Sequence, residues 1–354
     1  MGSHGDPDVL VIGGGPAGCA TAIFCRRAGL HVRLIARPDR GRERPGEALL
    51  PGTEPLLRQL GVDRPVLDAG FLRHPGHWVQ WDGERRFEPY GQDGSGPWLG
   101  FQAWRAAFDE ILRAEACRAG VIVQRSGATA PLAENGRIAG VLVDRQAIRA
   151  KVVVDAAGAR HWLARRLRLP IVRVSPRLLA WYAYLEGDCP RHDDCPTIAG
   201  DTEGWTWLAR VRQGVYQWVR MPLAGGHVER TWCPPEFAEL TRTGPARGAD
   251  VTWRQVPASA GAGYFIAGDA AMVLDPLSSH GVLKALMSGM MAGDLIAKML
   301  RRDLSPPIAA RRYRSWQAAW FARDTQALRA LYASLPNPPA WATESQTAPS
   351  GAIG

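Results

Sequence analysis

Four apolar residues, Val9-Leu10-Val11-Ile12, run into Gly13-Gly14-Gly15-Pro16-Ala17-Gly18. A stretch of helical composition follows from Cys19 to Ala28, Gly29 can cap it, and Val32 to Ile35 reads as a second strand. Strand, glycine turn, helix and strand in this order make a phosphate-binding unit. Gly13 permits the tight turn, Gly15 lets a pyrophosphate approach the backbone, and Gly18 lets helix and strand pack closely. Pro16 and Ala17 open the helix, whose N-terminal amides and dipole favour an anion. An acidic residue at the end of the second strand would bind a ribose, but the chain has Ala36-Arg37 there. The ribose must then be held by Arg37 or by water.

Two later segments have related chemistry. Val152 to Gly158 and Gly263 to Asp269 are apolar strands that close on small-residue turns, the first at Asp155-Ala156-Ala157-Gly158 and the second at Gly268-Asp269. The second continues into Asp275-Pro276-Leu277-Ser278-Ser279-His280-Gly281 and a helix from about Val282 to Leu300. His280 in that turn either exchanges protons with a bound group or bonds only to backbone. Asp275 either caps the turn or takes part in catalysis. There is no nucleophile triad and no HExxH-type metal motif; Cys189, His192 and Cys195 lack a fourth zinc ligand.

Other elements must position these groups. A helix is expected near Glu54 to Leu60, a hairpin at Trp78–Trp81 and Arg85–Phe87, a helix from Ala103 to Arg118, and a β-meander between Val121 and Arg149 with an Asn135-Gly136 turn. Aromatic-rich alternation then predicts antiparallel strands at Leu178–Leu185, Trp205–Val211, Val215–Pro222 and Val228–Trp232. A last helix is expected from Ile308 to Leu335, and the Pro/Ser/Ala-rich residues 336–354 read as disordered. Of the 14 tryptophans, Trp205 and Trp207 share one face of a strand. They would stack on an aromatic substrate or fill the core of the sheet.

Composition limits the function class. The 354 residues are 46% hydrophobic and 22% charged, as in a globular enzyme. The net charge is +9, but among 43 basic residues only Lys151, Lys284 and Lys298 are lysine. That arginine excess reads as genome composition, so no nucleic-acid partner is expected. The longest uncharged run, Val9 to Cys25, holds four glycines and is shorter than the roughly 20 residues a bilayer needs. No membrane association is expected, and with no export signal at the start, cytoplasmic residence is the expectation.

In order and spacing, the early glycine turn, the middle strand end and the late Gly-Asp with Pro-Leu-Ser-Ser-His-Gly resemble FAD-dependent monooxygenases of the p-hydroxybenzoate-hydroxylase fold, in the tryptophan-halogenase-like branch. The resemblance is nearest to the accessory flavoproteins that build tryptophan-derived quinone cofactors in amino-acid oxidases and quinohemoprotein amine dehydrogenases. It implies an α/β protein with a discontinuous Rossmann-like FAD-binding domain (1–70, 100–177 and 258–300), an inserted antiparallel-sheet substrate domain (71–99 and 178–257), and a C-terminal helix. It also implies that Asp269 binds the ribityl chain and that Pro276, Ser279, Gly281 and Val282 lay a helix N-terminus against the flavin. Arg105, Glu47 and Ala48 would contact the cofactor.

Halogenases of this branch capture hypohalous acid on an early lysine and carry Trp-x-Trp-x-Ile-Pro. Here no lysine precedes Lys151, and Gly204-Trp205-Thr206-Trp207-Leu208-Ala209 lacks the Ile-Pro. The expected activity is therefore hydroxylation of an aromatic ring, a tryptophan within a partner polypeptide, with NAD(P)H or reduced flavin as electron donor. The alternatives are a hydroxylase of a small free aromatic, a halogenase, and a flavin-binding maturation chaperone. The oligomeric state is not legible.

Overall fold

The computed structural model describes residues 5–38, 47–81, 83–223 and 225–343. In chain order the elements that matter for the site are β1 (Val9–Ile12), α1 (Pro16–Arg27), β2 (Val32–Ala36), β3 (Glu47–Leu49), β4 (Gly76–Trp81), β5 (Glu84–Pro89), β6 (Gly100–Ala103), α2 (Arg105–Arg118), β7 (Ile122–Arg125) and β8 (Val152–Asp155). They continue as β9 (Leu179–Glu186), β10 (Thr197–Gly200), β11 (Gly204–Arg212), β12 (Val215–Pro222), β13 (Tyr264–Ile266), α3 (Gly281–Leu300), α4 (Pro306–Ala333) and α5 (Ala340–Thr343).

Five parallel strands stand in the order β7-β2-β1-β8-β13, and Ala260–Gly261 closes the edge antiparallel to β13. Val11 lies opposite Leu34 on one side and Val154 on the other. These central strands are buried on both faces, which is why they read as unbroken apolar runs. The sheet gathers strand ends from residues 12, 155 and 266, so three motifs far apart in sequence meet at one edge of the fold.

α3 lies on α1 at very short range. A Cβ added at Gly289 would sit 2.2 Å from the Ala17 carbonyl oxygen, and one at Gly293 2.6 Å from the Phe24 Cβ. Only glycine allows this approach, and it fixes the start of α3 beside the start of α1.

The second large sheet runs Thr241–Arg242, β9, β12, β11, β10, β4, β5, with Arg247–Asp250 also paired to β9. One face carries Trp218, Tyr216, Leu208 and Leu185 against Phe237. The opposite face carries Trp205, Met221 and Val219 against Leu328 and Tyr332 of α4. α4 reaches from that sheet to the parallel one, where Tyr313 Oη and Gln317 Nε2 both donate to the Ile266 carbonyl, at 3.0 and 3.1 Å.

Two sequence expectations are corrected. Val228–Trp232 is not a strand: it follows Gly225-Gly226, precedes Pro234-Pro235, and uses its carbonyls at Thr231 and Trp232 on the Arg242 guanidinium. Trp232 instead packs edge-on to Trp218 at 4.8 Å. The segment after Leu335 is ordered as far as Thr343, because α5 places Trp341 edge-on to Trp253 at 5.3 Å. Residues 344–354 lie outside the described residues.

Candidate active site

The glycine turn has the conformation its sequence predicts. Gly13 has φ +111°, and a side chain there would meet the Ala156 carbonyl oxygen at 2.2 Å; a Cβ on Gly18 would lie 1.8 Å from the Gly13 carbonyl oxygen. Gly15 precedes α1 in extended conformation, with Pro16 and Ala17 opening the helix and both buried. Gly268, at φ +60°, is held against the same turn: its Cβ would be 2.9 Å from that of Ala17 and 3.6 Å from that of Ala285 on α3. The early fingerprint, the late Gly-Asp and the start of α3 are therefore neighbours.

Asp269 follows on a single 3-10 turn and is exposed at its tip. Surrounding protein strips water from the carboxyl and pushes its pKa up, against the pull of Arg105, Lys284 and Arg254. Arg105 is the first residue of α2, mostly buried, with Nε donating to Asp109 Oδ1 at 3.2 Å. Ala48 is half-buried on β3, paired to Gln102 just before that helix. The Glu47 side chain and residues 39–46 lie outside what is described. Arg37 is exposed at the end of β2, and a Cβ on Gly127 would meet its Nε at 3.0 Å.

The turn before α3 is tightly built. Asp275 is buried; its Oδ1 accepts the Leu277 amide at 3.0 Å and its Oδ2 accepts Trp253 Nε1 at 2.6 Å. Tyr332 Oη also bonds this carboxyl and accepts Trp205 Nε1 at 2.9 Å. Burial outweighs these donors and holds Asp275 at a pKa of about 6. Its capping role is thus visible. Pro276 starts the next 3-10 turn and Ser279 ends it in a left-handed conformation, φ 49°. Gly281 and Val282 begin α3, whose first intrahelical bond runs from the Lys284 amide to the His280 carbonyl at 2.9 Å. The earlier amides have no helical acceptor and form a positive end.

His280 is 28% exposed, with Nδ1 3.4 Å from Asp324 Oδ2. Trp205 is a correction. It is 1% exposed and its N–H is engaged by Tyr332, so no face of it is left for a substrate. Trp207, two residues on, is half-buried and packs in the same cluster as Tyr182 and Leu277 of the turn. It also packs against the small buried cluster of Tyr184, Val211 and Val215, as does Trp104, which meets Tyr184 edge-on at 5.4 Å.

Sequence reasoning missed two groups. His161, in a left-handed conformation and wholly buried, accepts Arg254 Nε at Nε2 (2.8 Å) and so donates from Nδ1 to the Ala270 carbonyl (2.8 Å). Burial depresses its pKa, keeping it neutral in this chain of bonds behind Asp269. The other group is Lys284 with Asp324, 3.4 Å apart and both buried. A signal for each existed: Lys284 is one of three lysines in the chain, and Asp324 is the lone acidic residue of α4.

FAD fits these residues. The missing Cβ atoms at Gly13, Gly14 and Gly18 let the turn fold tightly against Ala156, Ala36 and the Gly13 carbonyl at the start of α1, whose N-terminus suits a pyrophosphate; Asp269 can accept hydroxyl hydrogen bonds, and the α3 N-terminus suits the electron-rich end of a reduced ring.

Comparison with known proteins agrees. Among curated relatives, a 1H-pyrrole-2-carbonyl-[peptidyl-carrier protein] brominase of Pseudoalteromonas luteoviolacea is 27% identical over 337 residues, covering 87% of this chain and 81% of the relative. A digeranylgeranylglycerophospholipid reductase of Methanoculleus marisnigri is 28% identical, covering 83% and 77%. A solved peptidyl tryptophan dihydroxylase, essential for tryptophylquinone cofactor biogenesis, superposes with TM-score 0.74 at 22% identity, covering 95% of this chain and 78% of that one. Residues 6–259 match the FAD binding domain family. With the glycine turn, Gly268-Asp269 and the start of α3 brought side by side, the chain belongs to that family, and it is an FAD-dependent oxidoreductase.

Proposed function

We propose that the protein is an FAD-dependent monooxygenase that hydroxylates an aromatic ring, that of a tryptophan held in a polypeptide. The observation that carries this reading is that the turn at the start of α3 and the aromatic face of the second sheet share one buried cluster: Leu277 of the turn packs against the same core residues as Trp207 and Tyr182, both half-buried. A flavin lying on the α3 N-terminus would have those rings beside it. Two proteins of similar fold act on aromatic groups tethered to a polypeptide, by their descriptions, which supports a tethered substrate.

When bound and reduced, FAD supplies the electrons and the activation of dioxygen. The chain's own residues do the rest. Gly13, Gly15 and Gly18 admit the pyrophosphate, Asp269 and Arg105 orient the central part of the cofactor, and the amides at Gly281 and Val282 stabilise negative charge on its ring. Trp207, Tyr182 and Trp104 stack on the substrate and exclude water. His280 exchanges a proton at Nε2 with the ring hydroxyl that forms. NAD(P)H or reduced flavin is the electron donor.

The test uses FAD, reductant and a tryptophan-bearing polypeptide. The polypeptide should gain mass in steps of one oxygen, while free tryptophan, indole and phenols turn over poorly. Fast, well-coupled turnover of free phenols would replace this reading with a small-molecule hydroxylase. Halogenation is the second reading, favoured by the brominase relative and opposed by the absence of any lysine before Lys151. Added bromide should give no brominated product; regioselective bromination by mass spectrometry would reverse the choice.

A further inference from the structure

The buried side chains of α4 meet the turn that starts α3 at both of its ends. Asp324, Leu328 and Tyr332 recur at four-residue spacing and lie on one face of α4. Tyr332 bonds the Asp275 carboxyl, at the beginning of the turn. Asp324 Oδ2 lies 3.4 Å from His280 Nδ1, at the end of the turn, and 3.4 Å from Lys284 Nζ in the first turn of α3. Neither His280 Nδ1 nor Asp324 Oδ2 has a well-made hydrogen bond to anything else among the described residues. The groups that face this cluster are Lys284 from α3, Asp324 from α4, and more distantly Asp269 and Asp275 from the segments before the helix. Burial pushes Asp324 up, but His280 and Lys284 together outweigh it and hold the carboxyl below its ordinary range. It is thus an anion facing His280.

We infer that Asp324 is a positioning residue for His280: it holds the imidazole with a proton on Nδ1 and leaves Nε2 as the nitrogen that exchanges with a bound group. Lys284 keeps the carboxylate charged while sharing its oxygen, and α4 thereby sets which nitrogen of His280 is reactive. A contact of 3.4 Å is long for a hydrogen bond and has room to tighten when cofactor and substrate fill the cleft. The inference rests on the reading of His280 as a proton-handling group, but its test separates the two.

The test is nitrogen NMR of isotope-labelled histidine in the FAD-loaded protein, with the His280 resonances assigned from the spectrum of His280→Ala. His280 should carry its proton on Nδ1 in the parent protein and lose that preference in Asp324→Asn. Because Asp324→Asn strands a buried lysine and is at risk of misfolding, Lys284→Met/Asp324→Asn, which removes both charges, is measured beside it and should shift in the same way. Lys284→Met alone should keep the proton on Nδ1. An unchanged His280 proton position in the folded double variant overturns the inference. Where the proton moves, oxygen insertion should slow by at least about tenfold with FAD affinity unchanged, and adding Asp324→Asn to His280→Ala should slow it no further. If the proton moves and the rate does not, Asp324 still positions the ring and the proton-handling role of His280 is what fails.

Discussion

Gly289→Ala tests the packing that assembles the site. The added Cβ would meet the Ala17 carbonyl oxygen at 2.2 Å, and the Ala17 carbonyl carbon and the Ala20 Cβ each at 3.0 Å. Ordinary contact begins near 3.4 Å, so α1 and α3 must part by about 1.2 Å; the obstacles are backbone and Cβ atoms, which cannot rotate aside. Overpacking of this kind costs about 1–3 kcal/mol. Alanine returns about 1 kcal/mol in a helix interior, so a net loss of up to about 2 kcal/mol is expected. In the proposed site the helix opened by Ala17 would face the pyrophosphate and α3 would open at the flavin, so the same separation should weaken FAD by about tenfold, equivalent to about 1.4 kcal/mol. Fluorescence titration with FAD and the denaturant midpoint read the two effects separately. Gly293→Ala, one turn further from the cleft, meets the Phe24 Cβ at 2.6 Å and should lower the midpoint while disturbing FAD less. A Gly289→Ala protein with a raised midpoint and undiminished FAD affinity would refute the argument, because helix propensity would then have outweighed a contact the structure says is too close to keep.

Asp269→Asn should weaken FAD binding by the worth of charge-assisted hydrogen bonds, about 1.5–3 kcal/mol; calorimetric titration measures it, and an unchanged affinity would place Asp269 off the cofactor. Tyr332→Phe leaves the buried Trp205 N–H without its acceptor and should cost about 1–3 kcal/mol in urea denaturation, with Trp205 fluorescence altered in the folded state. Asp275 is held at about 6, above its ordinary value of 3.8. The folded protein therefore binds that proton more tightly than the unfolded one, and the stability this contributes is full below about 3.8 and lost as pH rises through about 6. Between those limits the parent protein should lose stability relative to Asp275→Asn as pH is raised, and a difference that grows in the other direction would mean the carboxyl is not burdened by burial.

What the sequence determined by itself is the set of features that local conformation dictates. Gly13 must reach positive φ where the strand turns, Gly18 must let the Gly13 carbonyl pass, and Asp275 caps the turn two residues before Leu277 through its own neighbour's amide. These demands lie within a few residues, so the motif and its geometry are legible together. Strand alternation likewise put Trp205 and Trp207 on one face. What covers that face was not legible. Trp205 is closed off by Tyr332, 127 residues later, and only the docking of α4 turns it from a possible stacking wall into a core side chain. The apolar residues of Val228–Trp232 mimicked a strand because alternation is a local signal, whereas a strand also needs a neighbouring edge with free hydrogen-bonding groups. The same holds for the charged groups at the site. His161 is kept neutral by burial, with Arg254, 93 residues away, donating to it, and Asp324 meets His280 and Lys284 only because one face of a 28-residue helix lies along the turn. Proton positions and burial depend on what surrounds a side chain in space, and in this protein those neighbours come from segments that only tertiary packing brings together.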